Sequence, residues 1–345
     1  MAKPGKHRTP VAEAILAFLE ENENASSKAL SSYLGITRQA LSIHMQHLIF
    51  DGQVVRTGAT RNTRYCLPES IPQPKPYRGV FNTRGLEENR VYQRIATTLN
   101  LSHALGAAAD TVFQYVFTEI LNNAIEHSES GKVRVSTQLQ PVFLTAEIKD
   151  YGIGIFASIA QKLGFPDEHD ALLQLVKGKT TTMPEAHSGE GVFFSSKAAD
   201  RLVIRSHRIE VEWNRQLEDV FVSNRHHVKG TLVQIAVRRD STVWLEDLFE
   251  KFAPEEFGYA FSRSRVHVKL LGERYISRSE ARRLLVNLDR FTTVELDFRN
   301  VVSMGQGFAD EIFRVFRLSH PHITVVPENT SPAVRAMIRH AEAAI

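Results

Sequence analysis

Between Leu67 and Tyr77 the chain reads PESIPQPKP, four prolines in nine residues. Each proline removes a backbone donor and fixes φ, so no regular helix or central strand runs through this tract. Little in it is apolar enough to bury, and it reads as a stiff, extended linker. A weaker break near Arg238 to Thr242 separates two further patterns. The chain therefore divides into 1–68, a linker at 69–76, 77–240 and 244–345. At 345 residues, 43% hydrophobic and 23% charged, it is long and apolar enough for several packed units.

A formal net charge of +3 is too mild to argue for nucleic acid by itself, so any such case rests on local placement. Cys66 is the sole cysteine, which excludes an intrachain disulfide and suits a reducing compartment. The basic start, MAKPGKHRTP, is not followed by an unbroken apolar stretch. No run approaches a membrane span, and the expectation is a soluble cytoplasmic protein without a membrane partner.

In the first unit, Val11, Ile15, Phe18 and Leu19 recur at helical spacing from Pro10 to Glu21. Ser26 or Ser27 can cap a second helix that Gly35 ends, and Thr37 can cap a third, RQALSIHMQHLIF. Val54 and Val55, then Tyr65 and Leu67, read as two short strands around GATRN. Three helices followed by a hairpin resemble a winged-helix domain. That resemblance implies a DNA partner, with Thr37, Arg38, Gln39 and Ser42 at the leading end of a recognition helix. Arg56, Arg61 and Arg64 surround the wing tip and would meet phosphates, giving salt-dependent affinity. A protein-docking role for the same module stays open. So does a homodimer, since such domains commonly read paired half-sites.

In the second unit, TVFQYVFTEILNNAIEHS (Thr111 to Ser128) carries a broad apolar stripe, while Glu119, Asn123 and His127 repeat every four residues on another face. A carboxylate one turn from a carboxamide suits a magnesium-bound nucleotide: the amide oxygen is a hard ligand and the carboxylate can activate water. Downstream, the strand FLTAEIKD ends at Asp150 and runs into Gly152 and Gly154. There the aspartate could accept from an adenine amino group and the glycines allow close backbone approach. Gly189 and Gly191 lead into a helical pattern, an anion site by way of free N–H groups. Lys229-Gly230-Thr231 then opens an alternating strand, TLVQIAV. His127 reads either as a pocket residue or as a cation at a helix C-terminus.

In this order the four boxes E-x-x-x-N, D-x-G-x-G, G-x-G and K-G-T, spread over 110–237, resemble the GHKL superfamily of gyrase and histidine-kinase ATP-binding domains. The resemblance implies an α/β sandwich that binds ATP and Mg²⁺. Glu119 matches the general base, Asn123 the Mg²⁺ ligand and Asp150 the adenine-binding aspartate. Gly152 and Gly154 flank that aspartate, Gly189 and Gly191 are lid glycines at the phosphates, and Thr231 supports the adenine pocket. The lid would run from Gly164 to Ser188, with Lys177 and Lys179 as candidate phosphate contacts. Where many members carry a further glycine, this chain has Val192-Phe193-Phe194. The upstream segment offers only His103, without the charged and proline context of an autokinase helix.

The last unit alternates strand and helix patterns: HVKLL, SRSEARRLLVNLD, TTVELDFRNV, GQGFADEIFRVFRLS, HITVVP and SPAVRAMIRHAEAAI. VELDFRNVVSMGQGFADEIFRVF resembles the central strand-turn-helix of STAS domains, implying a protein partner. The phosphoserine position of that family is not matched; Ser303 lies just before Met304-Gly305-Gln306-Gly307, whose glycines suit a tight turn.

The expected fold is multidomain α+β: winged helix, then GHKL α/β sandwich, then STAS-like α/β domain. The expected function is an ATP-binding transcriptional regulator in which nucleotide state modulates DNA binding. Two alternatives stay open: a serine/threonine kinase of the anti-sigma type, acting in cis or on a partner, and a non-enzymatic scaffold in which nucleotide is structural.

Overall fold

The computed structural model describes residues 10–58, 63–178, 191–253, 262–271 and 275–343. Arg61, Lys179 and Gly189 lie outside them.

The chain opens with α1 (Pro10–Glu21), α2 (Ser27–Leu34) and α3 (Arg38–Phe50). Of the two candidate serines, Ser26 caps α2, accepting from Ala29 N, and Gly35 closes it at φ 64°. Thr37 caps α3, accepting from Ala40 N. Ile15, Leu19, Leu30, Leu41, Met45 and Leu48 meet in a small core that Val54 completes. β1 (Val55–Thr57) and β2 (Arg64–Cys66) pair antiparallel. Ala25, between α1 and α2, bridges Tyr65 and fastens this hairpin to the helices.

The proline tract is not a free spacer. Pro68–Ser70 forms a 3-10 turn, and Gln73 Nε2 donates to Pro68 O at 3.2 Å. Gln73 Oε1 accepts from Gln138 Nε2 at 3.0 Å, on the sheet that follows. Nearby, Gly52 backs onto Phe143 so closely that a Cβ there would sit 2.5 Å from the ring. The first unit thus rests on the second.

The second unit runs β3 (Tyr77–Asn82), α4 (Glu88–Leu99), α5 (Leu101–Ala104), α6 (Ala107–Glu126), β4 (Lys132–Leu139), β5 (Phe143–Asp150), α7 (Ile155–Leu163), α8 (Glu168–Lys177), α9 (Gly191–Ala198), β6 (Arg201–Asn214) and β7 (Asp219–Arg238). The sheet is antiparallel, in the order β3-β4-β5-β7-β6. Val133, Val135, Leu144 and Ile148 alternate onto the helix-covered face, as expected for a sheet packed on one side. α6 lies across it, with Phe113, Val116, Phe117, Ile120 and Leu121 buried. Each such aromatic contributes roughly 1.5–3 kcal/mol by burial, and truncating one to alanine costs about 3–5 kcal/mol.

The alternation of β5 breaks at its end, where Ile148, Lys149 and Asp150 are buried in succession. The strand terminus is therefore covered on both faces, and that is where the candidate site lies.

α10 (Leu245–Phe252) belongs to two cores: Leu245 packs with the sheet unit and Phe252 with the last unit. The latter contains β8 (Arg263–His267), α11 (Arg278–Leu285), β9 (Thr293–Asp297), α12 (Gln306–Asp310), α13 (Arg317–Ser319), β10 (Thr324–Glu328) and α14 (Pro332–Glu342). A π-helical segment, Glu311–Phe316, joins α12 to α13. The strands are parallel in the order β10-β9-β8, so every strand-to-strand connection crosses over through helix. Ser277 and Glu280 form a capping box that starts α11. Among the described residues no helix is long and apolar enough to cross a membrane.

Candidate functional site

Asp150 is 3% exposed. Its Oδ1 accepts from Gly152 N at 2.9 Å and from Thr231 N at 3.0 Å. Thr231 Oγ1 in turn accepts from Ile155 N at 3.0 Å, tying the loop after β5 to β7. Burial pushes the Asp150 carboxyl above its ordinary range, while these N–H donors oppose the shift.

Glycine is obligatory at two positions around it. A Cβ on Gly152 would lie 1.6 Å from Ser128 O, and one on Gly230 would lie 2.5 Å from Asp150 Oδ1. Gly230 also sits at φ 68°, which glycine adopts without strain. Ser128, just beyond α6, accepts from Ile153 N at 3.0 Å, so the C-terminus of α6 is welded to the Asp150 loop.

The other end of the face lies on α9. A Cβ on Gly191 would sit 2.1 Å from Glu119 Oε2, so the first residue of α9 abuts that carboxylate. Glu119, Asn123 and His127 are half-buried on consecutive turns of α6. The Asp150 loop and the start of α9 are therefore linked by nine residues of α6 and its cap, roughly 13 Å of helix. Asp150, Gly152 and Thr231 are joined by hydrogen bonds, Gly191 abuts Glu119, and α6, which carries Glu119 and Asn123, connects the two ends through Ser128. Among the described residues no group of three or more His, Cys, Asp or Glu side chains could hold a metal ion.

Several expectations need correction. The stretch Gly164 to Lys177 is not a loop: Gly164 caps α7 and 168–177 is α8, buried from Ala171 onward. Lys177 does not face the Glu119–Asp150 path. It is 1% exposed, and its Nζ donates to Val286 O at 2.9 Å, because α8 docks on the last unit. Thr231 does not open a strand; it lies inside β7, which begins at Asp219 and is kinked at Gly230. Gly154, at φ 87°, packs against Ser206 and His207 of β6. In the first unit, β-pairing sets Arg56 opposite Tyr65 and Thr57 opposite Arg64, so the two arginines project from opposite faces of the ribbon. Thr37, Arg38, Gln39 and Ser42 are all exposed on α3, with the Thr37 hydroxyl already engaged as a cap.

Other contributors escaped sequence reasoning. Ser130 Oγ accepts from Tyr151 N at 3.1 Å, and Lys149 Nζ donates to Lys229 O. Burial lowers the pKa of Lys149. His207, at φ 48° in a β-bulge, meets Glu168 of α8 at 2.7 Å and stacks on His227. The only sequence signal for that bulge is the polar run NRHHVKG opposite it.

In the last unit, β8, β9 and β10 form a parallel sheet with α11, α12, α13 and α14 packed around it. Residues 280–335 match the STAS-like domain of unknown function (DUF4325). No curated protein matches the chain. The STAS-like domain is clamped to the sheet unit. Beside the Lys177 contact, Ser264 Oγ donates to Lys177 O at 2.8 Å and Asn287 Nδ2 donates to Gln174 Oε1 at 3.2 Å. Arg283 pairs with Asp170. On the far side Lys269 Nζ reaches both oxygens of Asp219 at 2.6 and 2.7 Å, and Arg299 donates to Leu217 O at 2.8 Å. Ser303 of the STAS-like domain is exposed. Gly305 does not supply a positive φ; it permits close approach, since a Cβ there would be 2.8 Å from Ile276 O.

Proposed function

We propose that this chain is an ATP-responsive transcriptional regulator, in which residues 77–240 act as a GHKL nucleotide module and residues 10–68 as a winged-helix DNA reader. The observation that carries this reading is the buried Asp150 carboxylate, fixed at a strand end by Gly152 N and Thr231 N in a cradle where Gly152 and Gly230 admit no side chain. A carboxylate held this way is suited to accept from an exocyclic amino group, and its desolvation strengthens that bond.

Along the same face, the half-buried Asn123 offers an amide oxygen, a hard donor of the kind magnesium takes. Bound magnesium supplies charge neutralisation at the phosphates. Glu119, against the first residue of α9, is positioned to orient or deprotonate water. The N-terminal N–H groups of α9, an eight-residue helix, favour an anion beside them.

A path toward the proposed DNA reader runs along β5. β5 has Phe143 at one end, under Gly52 of the first unit, and Asp150 at the other, roughly 24 Å away. A switch needs a ligand that binds two arrangements with different affinity, and this strand offers a path by which the Asp150 loop would bias the seat of α3.

The test is DNA binding by the full chain to duplexes selected from a random pool, measured by fluorescence anisotropy with and without Mg-ATP. A shift in affinity is expected. Superimposable curves from a chain that binds both ligands would remove the regulatory reading.

A further inference from the structure

We propose, on the nucleotide reading above, that Phe193 and Phe194 are positioning residues through which the STAS-like domain sets the affinity of the Glu119 end of the site for phosphates. α9 has eight residues and two allegiances. Its first residue, Gly191, lies against the Glu119 carboxylate, where a Cβ would meet Oε2 at 2.1 Å. Phe193 and Phe194, each 3% exposed, leave the sheet unit's core and pack in that of the STAS-like domain.

On α10, which belongs to both cores, Phe193 meets Phe252 edge-on with ring centroids 5.2 Å apart, and Phe194 meets Phe249 at 4.8 Å. One turn on, Lys197 Nζ lies 5.2 Å from the centre of the Phe193 ring. The two phenylalanines belong to the stretch Val192-Phe193-Phe194, which stands where many members of the resembled superfamily carry a further glycine. Both rings are held by α10 and the core of the last unit.

α8 repeats the arrangement. Its first residue, Glu168, holds His207 beside the Gly154 loop at 2.7 Å, and its last, Lys177, is plugged into the STAS-like domain through Val286 O. Two helices therefore run from the candidate site into one neighbouring domain. Close-packed interiors transmit displacement and do not absorb it. Repacking the phenylalanine pocket shifts Gly191 against Glu119, and occupancy beside Glu119 must in turn be felt in the STAS-like core, because binding couplings are reciprocal.

The base end, at Asp150, is held by its own hydrogen bonds and does not use the phenylalanine pair. The coupling is therefore selective, weakening the hold on phosphates while sparing the base. The experiment is calorimetry of the full chain with Mg-ATP and with adenosine, on wild type, Phe194→Ala and Phe194→Leu. Hydrogen exchange on wild type, with and without Mg-ATP, accompanies it.

Phe194→Ala is expected to lower Mg-ATP affinity roughly tenfold while leaving adenosine within about twofold, with Phe194→Leu recovering most of the loss. Mg-ATP is expected to slow exchange in Arg278–Leu285 of the wild-type STAS-like domain. Equal Mg-ATP affinity in wild type and Phe194→Ala, parallel losses for adenosine and Mg-ATP, or exchange in α11 indifferent to Mg-ATP would overturn the proposal. Should Phe194→Ala not fold, the exchange experiment on wild type decides alone. Wild type that binds neither ligand would instead remove the nucleotide reading on which it rests.

Discussion

Lys177 Nζ donates to the carbonyl oxygen of Val286 at 2.9 Å, an ammonium from the sheet unit capping a helix end of the STAS-like domain. Val286 is the C-cap of α11, where the negative end of the helix dipole favours a cation. The contact nevertheless lies in a buried seam. Desolvation there lowers the Lys177 pKa from 10.5 to about 7, against the partial support of Asp170.

The sign of the resulting pH dependence follows. In the folded chain Lys177 loses its proton near pH 7, in the unfolded chain near 10.5, so the unfolded state holds more protons between them. Wild-type stability should rise relative to Lys177→Met across that window, at up to about 1.4 kcal/mol per pH unit, and the difference should be flat below it. Urea denaturation at a series of pH values checks this; a difference independent of pH would show that Lys177 is not buried as described.

The two glycines flanking the site should respond differently to one added methyl. At Gly152 the methyl meets the Ser128 backbone oxygen, which cannot yield without moving the end of α6. Gly152→Ala is expected to destabilise by about 3 kcal/mol in chemical denaturation. At Gly191 it meets the far end of the Glu119 side chain, which can swing away. Gly191→Ala should therefore keep most stability while displacing Glu119, and any turnover of ATP should fall with it.

His267 gives an acid limit. It is 3% exposed between Asp297 and Asp219, and burial holds its pKa below the ordinary 6.5 despite both carboxylates. It is neutral in the fold and takes up a proton more readily when unfolded, so its contribution is full above pH 6.5 and lost as pH falls below. Acid unfolding followed by near-UV dichroism should begin at lower pH in His267→Gln than in wild type. An unchanged acid limb would count against this role.

For DNA, the opposite orientation of Arg56 and Arg64 separates their effects. If only one face of the ribbon meets the backbone, one of Arg56→Ala and Arg64→Ala should reduce the slope of log affinity against log salt by about 0.9, and the other should leave it unchanged. Salt titrations of both variants by anisotropy decide; unchanged slopes in both would remove the hairpin from the interface.

Local chemistry made much of this readable. Ser26, Gly35 and Thr37 announce the ends of α2 and α3 through capping, and the last unit alternates strand and helix as its patterns imply, except that HVKLL is not its first strand: β8 ends at His267 and Val268–Leu271 form a 3-10 helix. Periodicity placed Glu119 and Asn123 on one face of α6 and ended β5 at Asp150. What stayed illegible depends on contacts distant in sequence. Lys177 reads as a loop cation until α8 is seen against Val286, 109 residues away. Phe193 and Phe194 read as an odd replacement of glycine until Phe252 is found beside them. The pairing of Ala25 with Tyr65 and the β6 bulge at His207 carry no periodic signal at all.

Titration calorimetry of Mg-ATP into wild type and Asp150→Asn tests the proposed nucleotide site most directly. The amide keeps an oxygen for Gly152 N and Thr231 N, so the fold should survive, but its NH₂ opposes an amino donor where the carboxylate accepted one. Saturable binding by wild type and a loss of at least about 2 kcal/mol in the variant are expected, the scale of a charge-assisted hydrogen bond left unmade. Equal affinity in the two proteins, or no binding to wild type, would contradict a purine held at Asp150.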